Sequence, residues 1–210
     1  MVDLTGIKNI IFDYGGVIIN TNTRLTINAF KELGFFKVED YICQSNNSDL
    51  LVKMEKGQMS DNVFRDGIRK VSNLKLTDEQ IDFAWNAILL DMSADKIKLL
   101  EKLRKKYKIF LLSNTNVIHY KKFLKDLQQK FGYLNFNKLF EKAWFSFQLG
   151  MVKPDAEIYN YVLTDASLLP KETLFIDDSA INIKGAKKTG IKTYLLNNED
   201  ILEAFKNYEE

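Results

Sequence analysis

Lys8-Asn9-Ile10-Ile11-Phe12-Asp13 is a short apolar run that ends on a carboxylate, and Tyr14-Gly15-Gly16 follows it. An apolar run of that length, closed by a double glycine, reads as a buried strand entering a tight turn. Similar units recur along the chain. Lys108-Ile-Phe-Leu-Leu-Ser113 is a second run, closed by Asn114-Thr-Asn116. Ala143-Trp-Phe-Ser-Phe147 is a third and weaker one, Thr173-Leu-Phe-Ile-Asp177 a fourth, and Lys192-Thr-Tyr-Leu-Leu196 a fifth.

Helical patterns lie between these runs. Residues 93–107 place Ile97, Leu100, Leu103 and Tyr107 on one face, the spacing of a helix against a core. Residues 117–131 and 155–163 read the same way, and residues 183–188 read as a helix with Gly190 at its C′ position. Strands alternating with helices predict βαβ units and a mainly parallel sheet. Residues 21–92 differ, because they hold no convincing strand. Thr77 and Gln80 form a capping box there, with Leu76 and Ile81 at the staple positions. Ser60 caps a further helix over 61–71. The chain therefore divides into a core of residues 1–20 and 93–210 and an all-helical insertion of residues 21–92. Its 210 residues suit one domain with such an insertion.

The chemistry lies in how the strands end. The first ends at Asp13, the second at Ser113-Asn114, and the fourth at Asp177-Asp178, while the third leads through Gly150 to Lys153-Pro154. In a parallel sheet these ends share one edge, where ligands bind in the crevice between strands. Carboxylates with open positions suit Mg²⁺. A lysine, a hydroxyl and backbone amides suit phosphate oxygens. An aspartate facing a phosphoryl group can act as a covalent nucleophile, and phosphoryl transfer asks mainly for positioning and charge neutralisation.

Asp13-Tyr-Gly-Gly-Val-Ile, Leu112-Ser-Asn-Thr-Asn, Gly150-Met-Val-Lys-Pro-Asp and Phe175-Ile-Asp-Asp-Ser with Asn182 resemble, in order and in strand position, motifs I to IV of the haloacid dehalogenase (HAD) superfamily. The likeness covers roughly residues 7–20 and 95–197. It implies an α/β fold, a Rossmann-like core with a mainly parallel sheet flanked by helices, and a small helical C1-type cap inserted after the first strand. It also implies a Mg²⁺-dependent phosphatase of small phosphorylated metabolites, acting through an aspartyl-phosphate. Asp13 would attack phosphorus and bind Mg²⁺ together with the Gly15 carbonyl and Asp178, and Asp177 would be a ligand or a supporting partner. Ser113 and Asn114 would bind the phosphoryl group, Lys153 would neutralise it and the nucleophile, and Asn182 would support the metal site.

One position departs from the family pattern. Most phosphatases of the superfamily carry a second aspartate, the general acid and base, where this chain has Gly15. A positioned acid contributes ~10²–10⁴-fold to rate. The Asp-x-Gly form resembles bacterial sugar-1-phosphate phosphatases, so the expectation is either a preference for good leaving groups or another acid. Two alternatives stand beside this reading. A dehalogenase would attack carbon with the same aspartate and no metal, which the Asp177-Asp178 pair argues against. A non-catalytic phospholigand-binding or scaffold protein would account for the missing acid but not for the retained Asp13, Lys153 and aspartate pair.

Other features read as ordinary structure. Lys plus Arg number 30 and Asp plus Glu 28, a balance that argues against nucleic acid or an anionic membrane as partner. The N-terminus has no basic signal-peptide pattern, and no stretch approaches the ~18–20 apolar residues of a membrane span. A soluble cytoplasmic protein with a small-molecule substrate is expected, and its oligomeric state is left open. Cys43, the single cysteine, excludes an internal disulfide and reads as a small apolar residue. His119 reads as a partly exposed structural histidine, with the missing acid as its alternative. Phe83 and Trp85 read as packing within the cap, and the basic run 102–108 reads as the wet face of a helix.

Overall fold

The computed structural model describes residues 1–43, 48–197 and 199–208. Five parallel strands, β1 (Asn9–Phe12), β2 (Lys108–Ser113), β3 (Lys142–Phe145), β4 (Thr173–Asp177) and β5 (Lys192–Leu195), lie in the order β3-β2-β1-β4-β5. β1 is central and every residue in it is buried, as expected of a parallel strand covered on both faces. Its side chains alternate. Ile10 and Phe12 enter one core with Leu103, Leu111, Leu127 and Ile176, while Ile11 enters the opposite core with Phe110, Leu112, Tyr159 and Phe175. The period of two along the strand thus builds two layers from one apolar run.

The helices of the core are α6 (Ala94–Leu103), α7 (Val117–Phe131), α8 (Ser146–Leu149), α9 (Ala156–Asp165), α10 (Ala180–Lys187) and α11 (Ile201–Ala204). α7 spans the residues its periodicity predicts, between an Asn116 cap and Gly132 at φ +71°. Three expectations shift. The third strand ends at Phe145, because Ser146 opens the short α8 and its hydroxyl accepts from Thr115 N–H at 2.9 Å and donates to Thr115 O at 3.0 Å. α10 begins at Ala180, earlier than its apolar pattern, and ends at Lys187 with Lys188 as its C-cap, so Gly190 lies beyond the C′ position. The basic run leaves the helix at Arg104, and its charges line the turn into β2.

Between β1 and β2 lie α1 (Thr23–Glu32), α2 (Val38–Cys43), α3 (Ser48–Glu55), α4 (Asp61–Ser72) and α5 (Asp78–Asn86), with no strand among the described residues. The Thr77–Gln80 capping box is formed in both directions, and Ser60 accepts from Val63 N–H at 3.3 Å. This block has its own core of Ile27, Phe30, Phe64, Ile68, Ile81 and Trp85, joined by Ile118 at the start of α7. Cys43 ends α2, and the reading of its side chain lies outside the described residues. Phe83, expected to pack within the block, is 74% exposed. It sits on the side of α5 opposite buried Ile81 and Trp85, a position left open among the described residues. Among the described residues no helix is long and apolar enough to cross a membrane.

Candidate active site at the carboxyl edge of the sheet

β1 is where the strand order turns. Its neighbours β2 and β4 begin the two halves of the sheet, so the crevice at its carboxyl end is the ligand position of such a fold. The register pairs Phe12 with Leu111 on one side and Ile176 on the other. Asp13 and Asp177, each one residue further on, therefore emerge level with each other, and Asp13 N–H donates to Ile176 O at 2.9 Å.

Lys153 joins them. Its Nζ lies 2.7 Å from Asp13 Oδ1 and 2.7 Å from Asp177 Oδ2, and it donates to Leu112 O at 3.2 Å. Its main chain is fixed as well. Asn114 Oδ1 accepts from Lys153 N–H at 2.9 Å, and Asn114 Nδ2 donates to Lys153 O at 3.0 Å. Asp177, fully buried, accepts further from Ser179 N–H at 2.7 Å and from Asn182 Nδ2 at 3.0 and 3.1 Å. Asp178 is exposed and completes a cluster in which one oxygen each from Asp13, Asp177 and Asp178 lies within 4.8 Å of the others. Gly16, at φ +76°, makes room for it, since a Cβ there would overlap Asp178 Oδ2.

Three carboxylates against one ammonium leave a surplus of two negative charges. Burial, reinforced by the Asp177 charge, pushes the Asp13 carboxyl up to about 7 despite its contact with Lys153. Burial and the same neighbour raise Asp178. Burial opposes the charge on Lys153, but Asp13 and Asp177 outweigh it and hold its pKa high. A cluster of carboxylate oxygens in which burial and a like-charged neighbour raise Asp13 and Asp178 fits a hard dication.

A cavity of about 300 Å³ opens beside this cluster, lined by Gly15, Ser113, Asn114 and Thr115 from the sheet edge and by Glu55, Trp85 and others from the helical block. Ser113 Oγ has only a long 3.5 Å contact, to Asn114 O, which leaves the hydroxyl open to a ligand. The Asn114 side chain is spent on Lys153, so what it can offer a ligand is main chain. Trp85 Nε1 and Thr115 Oγ1, on two of the lining residues, are buried without partners. His119 is buried rather than partly exposed. Its ring stacks on Trp85 at 5.1 Å, Nδ1 lies 3.0 Å from Asn86 Oδ1, and burial pushes its pKa down to about 3.

The strand-end residues Asp13, Ser113, Asn114, Lys153, Asp177 and Asp178 thus meet at one place, with Gly15 and Asn182 beside them. Sequence reasoning passed over Glu55 and Lys96. Glu55 stands in no recognisable pattern. Lys96 did carry a signal, since it occupies the apolar stripe of α6, four residues before Leu100 and seven before Leu103. It is buried there and bonds Val17 O and Asn20 Oδ1 at 3.0 Å, with Asp200 also at 3.0 Å, and so pins the loop that leaves β1.

This fold, with an acidic strand-end cluster under a helical insertion, defines a class of hydrolases. The chain belongs to the haloacid dehalogenase-like hydrolase family, whose sequence model matches residues 10–196. It is 31% identical over 188 residues to a D-ribitol-5-phosphate phosphatase of Bacteroides thetaiotaomicron, covering 90% of this chain and 91% of that one. A HAD family enzyme of the same organism, an aspartate-to-alanine mutant crystallised with magnesium and inorganic phosphate, superposes with a TM-score of 0.89. It is 42% identical, and the match covers 95% of this chain and 98% of that one. A predicted HAD-like hydrolase of Porphyromonas gingivalis superposes with a TM-score of 0.85 at 31% identity, over 97% of this chain and 99% of that one.

Proposed function

We propose that this chain is a Mg²⁺-dependent phosphatase of small hydroxylated phosphate monoesters that works through an aspartyl-phosphate on Asp13. The observation that carries the reading is the clasp of Asp13 and Asp177 by Lys153, with Asp178 completing an acidic cluster beside a cavity. Kinship with a polyol-phosphate phosphatase and with an enzyme crystallised with magnesium and phosphate supports it.

Asp13, the Gly15 carbonyl and Asp178 would hold Mg²⁺, which when bound neutralises charge on the phosphoryl oxygens. Asp177, occupied by Lys153, Ser179 and Asn182, serves better as the support of Lys153 than as a full ligand. An Asp13 oxygen forms a bond to phosphorus as the ester P–O bond breaks. Water then attacks the same phosphorus, releasing inorganic phosphate and restoring the Asp13 carboxylate. Lys153 keeps Asp13 aimed and balances the phosphoryl charge, while Ser113 Oγ donates to a phosphoryl oxygen. Asn114 acts by positioning Lys153. The helical block, residues 21–92, acts as a cap that shields the site from water and selects the substrate. The unpartnered Trp85 Nε1 and Thr115 Oγ1 suit hydroxyls on that substrate. In this reading the protein works in the cytoplasm, without a nucleic-acid or membrane partner.

The test is phosphate release from a panel of phosphate esters, with and without Mg²⁺, beside Asp13→Asn. Release is expected only with Mg²⁺, and a nucleophile lost from a unit of this kind is expected to lower kcat by about 10⁴-fold or more. A folded protein that binds phosphate esters and releases phosphate from none of them is instead a phospholigand-binding protein.

A further inference from the structure

The ester oxygen that leaves a polyol phosphate is a poor leaving group, and without a proton it departs as an alkoxide. A proton donor within reach of that oxygen is therefore required. Gly15 has no side chain to give one. Among the described residues that line the cavity, the titratable side chains are Glu55 and His119. His119 is unsuited to the task. Its ring is stacked on Trp85 and engaged with Asn86, and burial keeps the imidazole neutral.

We propose that the Glu55 carboxyl, carried into the cavity from the C-terminal end of α3, is the general acid and then the general base of the reaction. This rests on the phosphatase reading above. The end of α3 is seated directly on the core. Gly57, at φ +64°, lies so close to the segment leading to Lys153 that a Cβ there would overlap Phe147 O. Lys56 reaches Asp155 at 3.9 Å just beyond Lys153, and Met54 is buried. Glu55, which lines the cavity, is thereby held against the core. Burial raises its pKa, the Lys153 charge tempers that rise, and no hydrogen bond contributes. It is a half-buried carboxyl on the cavity wall, within electrostatic reach of Lys153.

The steps balance. As Asp13 bonds to phosphorus, the electrons of the P–O ester bond pass to the ester oxygen, which takes the Glu55 proton and leaves as an alcohol. The Glu55 carboxylate then takes a proton from water as the water oxygen bonds to phosphorus. The electrons of the aspartyl bond return to Asp13, and Glu55 is protonated again.

The experiment compares Glu55→Gln with the wild type on D-ribitol 5-phosphate and on 4-nitrophenyl phosphate, whose phenolate leaves without a proton. For the alkyl ester kcat/KM is expected to fall about 10²–10³-fold, and for the aryl ester, which reports only the first half-reaction, to stay within about threefold. The aryl kcat should fall, with a burst of 4-nitrophenolate, because the second half-reaction has lost its base. Equal losses of kcat/KM on both esters would overturn the proposal and leave Glu55 a shaper of the cavity. If E55Q melts below the assay temperature, Glu55→Asp reads the same ratio, and an unchanged alkyl-to-aryl ratio there also overturns it. A wild type that releases phosphate from no ester of the panel refutes the phosphatase reading, a result distinct from either.

Discussion

At the carboxyl edge of the sheet, each buried charge is held by several others. Lys153 is gripped by Asp13, Asp177 and the Leu112 carbonyl, and Asp177 by Lys153, Ser179 and Asn182. In the helical block the groups facing the same cavity are held far less. Trp85 Nε1 has no partner, and Glu55 is shaped by burial and a distant charge alone. The block's strong polar contacts lie elsewhere, as in the Arg65 fork onto Asp82 at 2.8 and 2.9 Å. The difference marks a division of labour. The charged groups of the edge are organised before the ligand arrives, as phosphoryl transfer requires, whereas the neutral groups around the cavity, Ser113 and Thr115 on the edge and Trp85 in the helical block, are left for a ligand to satisfy.

That contrast can be broken at its strongest point by Lys153→Met. Removing the ammonium leaves Asp13 and Asp177 facing each other unneutralised. Turnover of every ester, alkyl and aryl alike, should fall about 10³-fold, which steady-state kinetics on both would show. A loss confined to one substrate would place Lys153 with the helical block in function. A smaller effect is expected of Gly16→Ala, whose new methyl meets Asp178 at a positive φ. Titration calorimetry should find Mg²⁺ bound about 10–100-fold more weakly, and saturating Mg²⁺ should restore most of the activity. The least effect is expected of Thr77→Ala, which opens the capping box of α5. Thermal unfolding should show about 1 kcal/mol of lost stability while kcat/KM at 25 °C stays within about twofold. A larger kinetic loss would mean that the packing of α5 under Trp85 is part of the site.

Much of the core was legible because its signals are local. Ile10-Ile11-Phe12 is apolar on both faces, and only a central parallel strand needs that; Asn116 and Gly132 bracket α7 at the residues its periodicity marks. The third strand was misjudged by two residues, because Ser146 and Phe147 are as compatible with a strand as their neighbours are. What turns them into α8 is a hydrogen bond from Ser146 to Thr115, about thirty residues away in sequence. His119 was misjudged for a similar reason. Its one-turn distance from Asn116 gave its place on α7, but its burial comes from Trp85, which the helical block brings against it.

The sequence by itself determined the order of the elements, the two faces of the sheet, and which residues gather at its carboxyl edge. All of these follow from periodicities of two and 3.6 and from what closes each strand. Only the tertiary structure decided what each polar group is free to do. It spent the Asn114 amide on Lys153, buried His119 to neutrality, set Lys96 under the β1 loop, and brought Glu55 to the wall of the cavity. The physical reason is that a side chain's proton and its spare hydrogen bonds depend on burial and on neighbours distant in the chain.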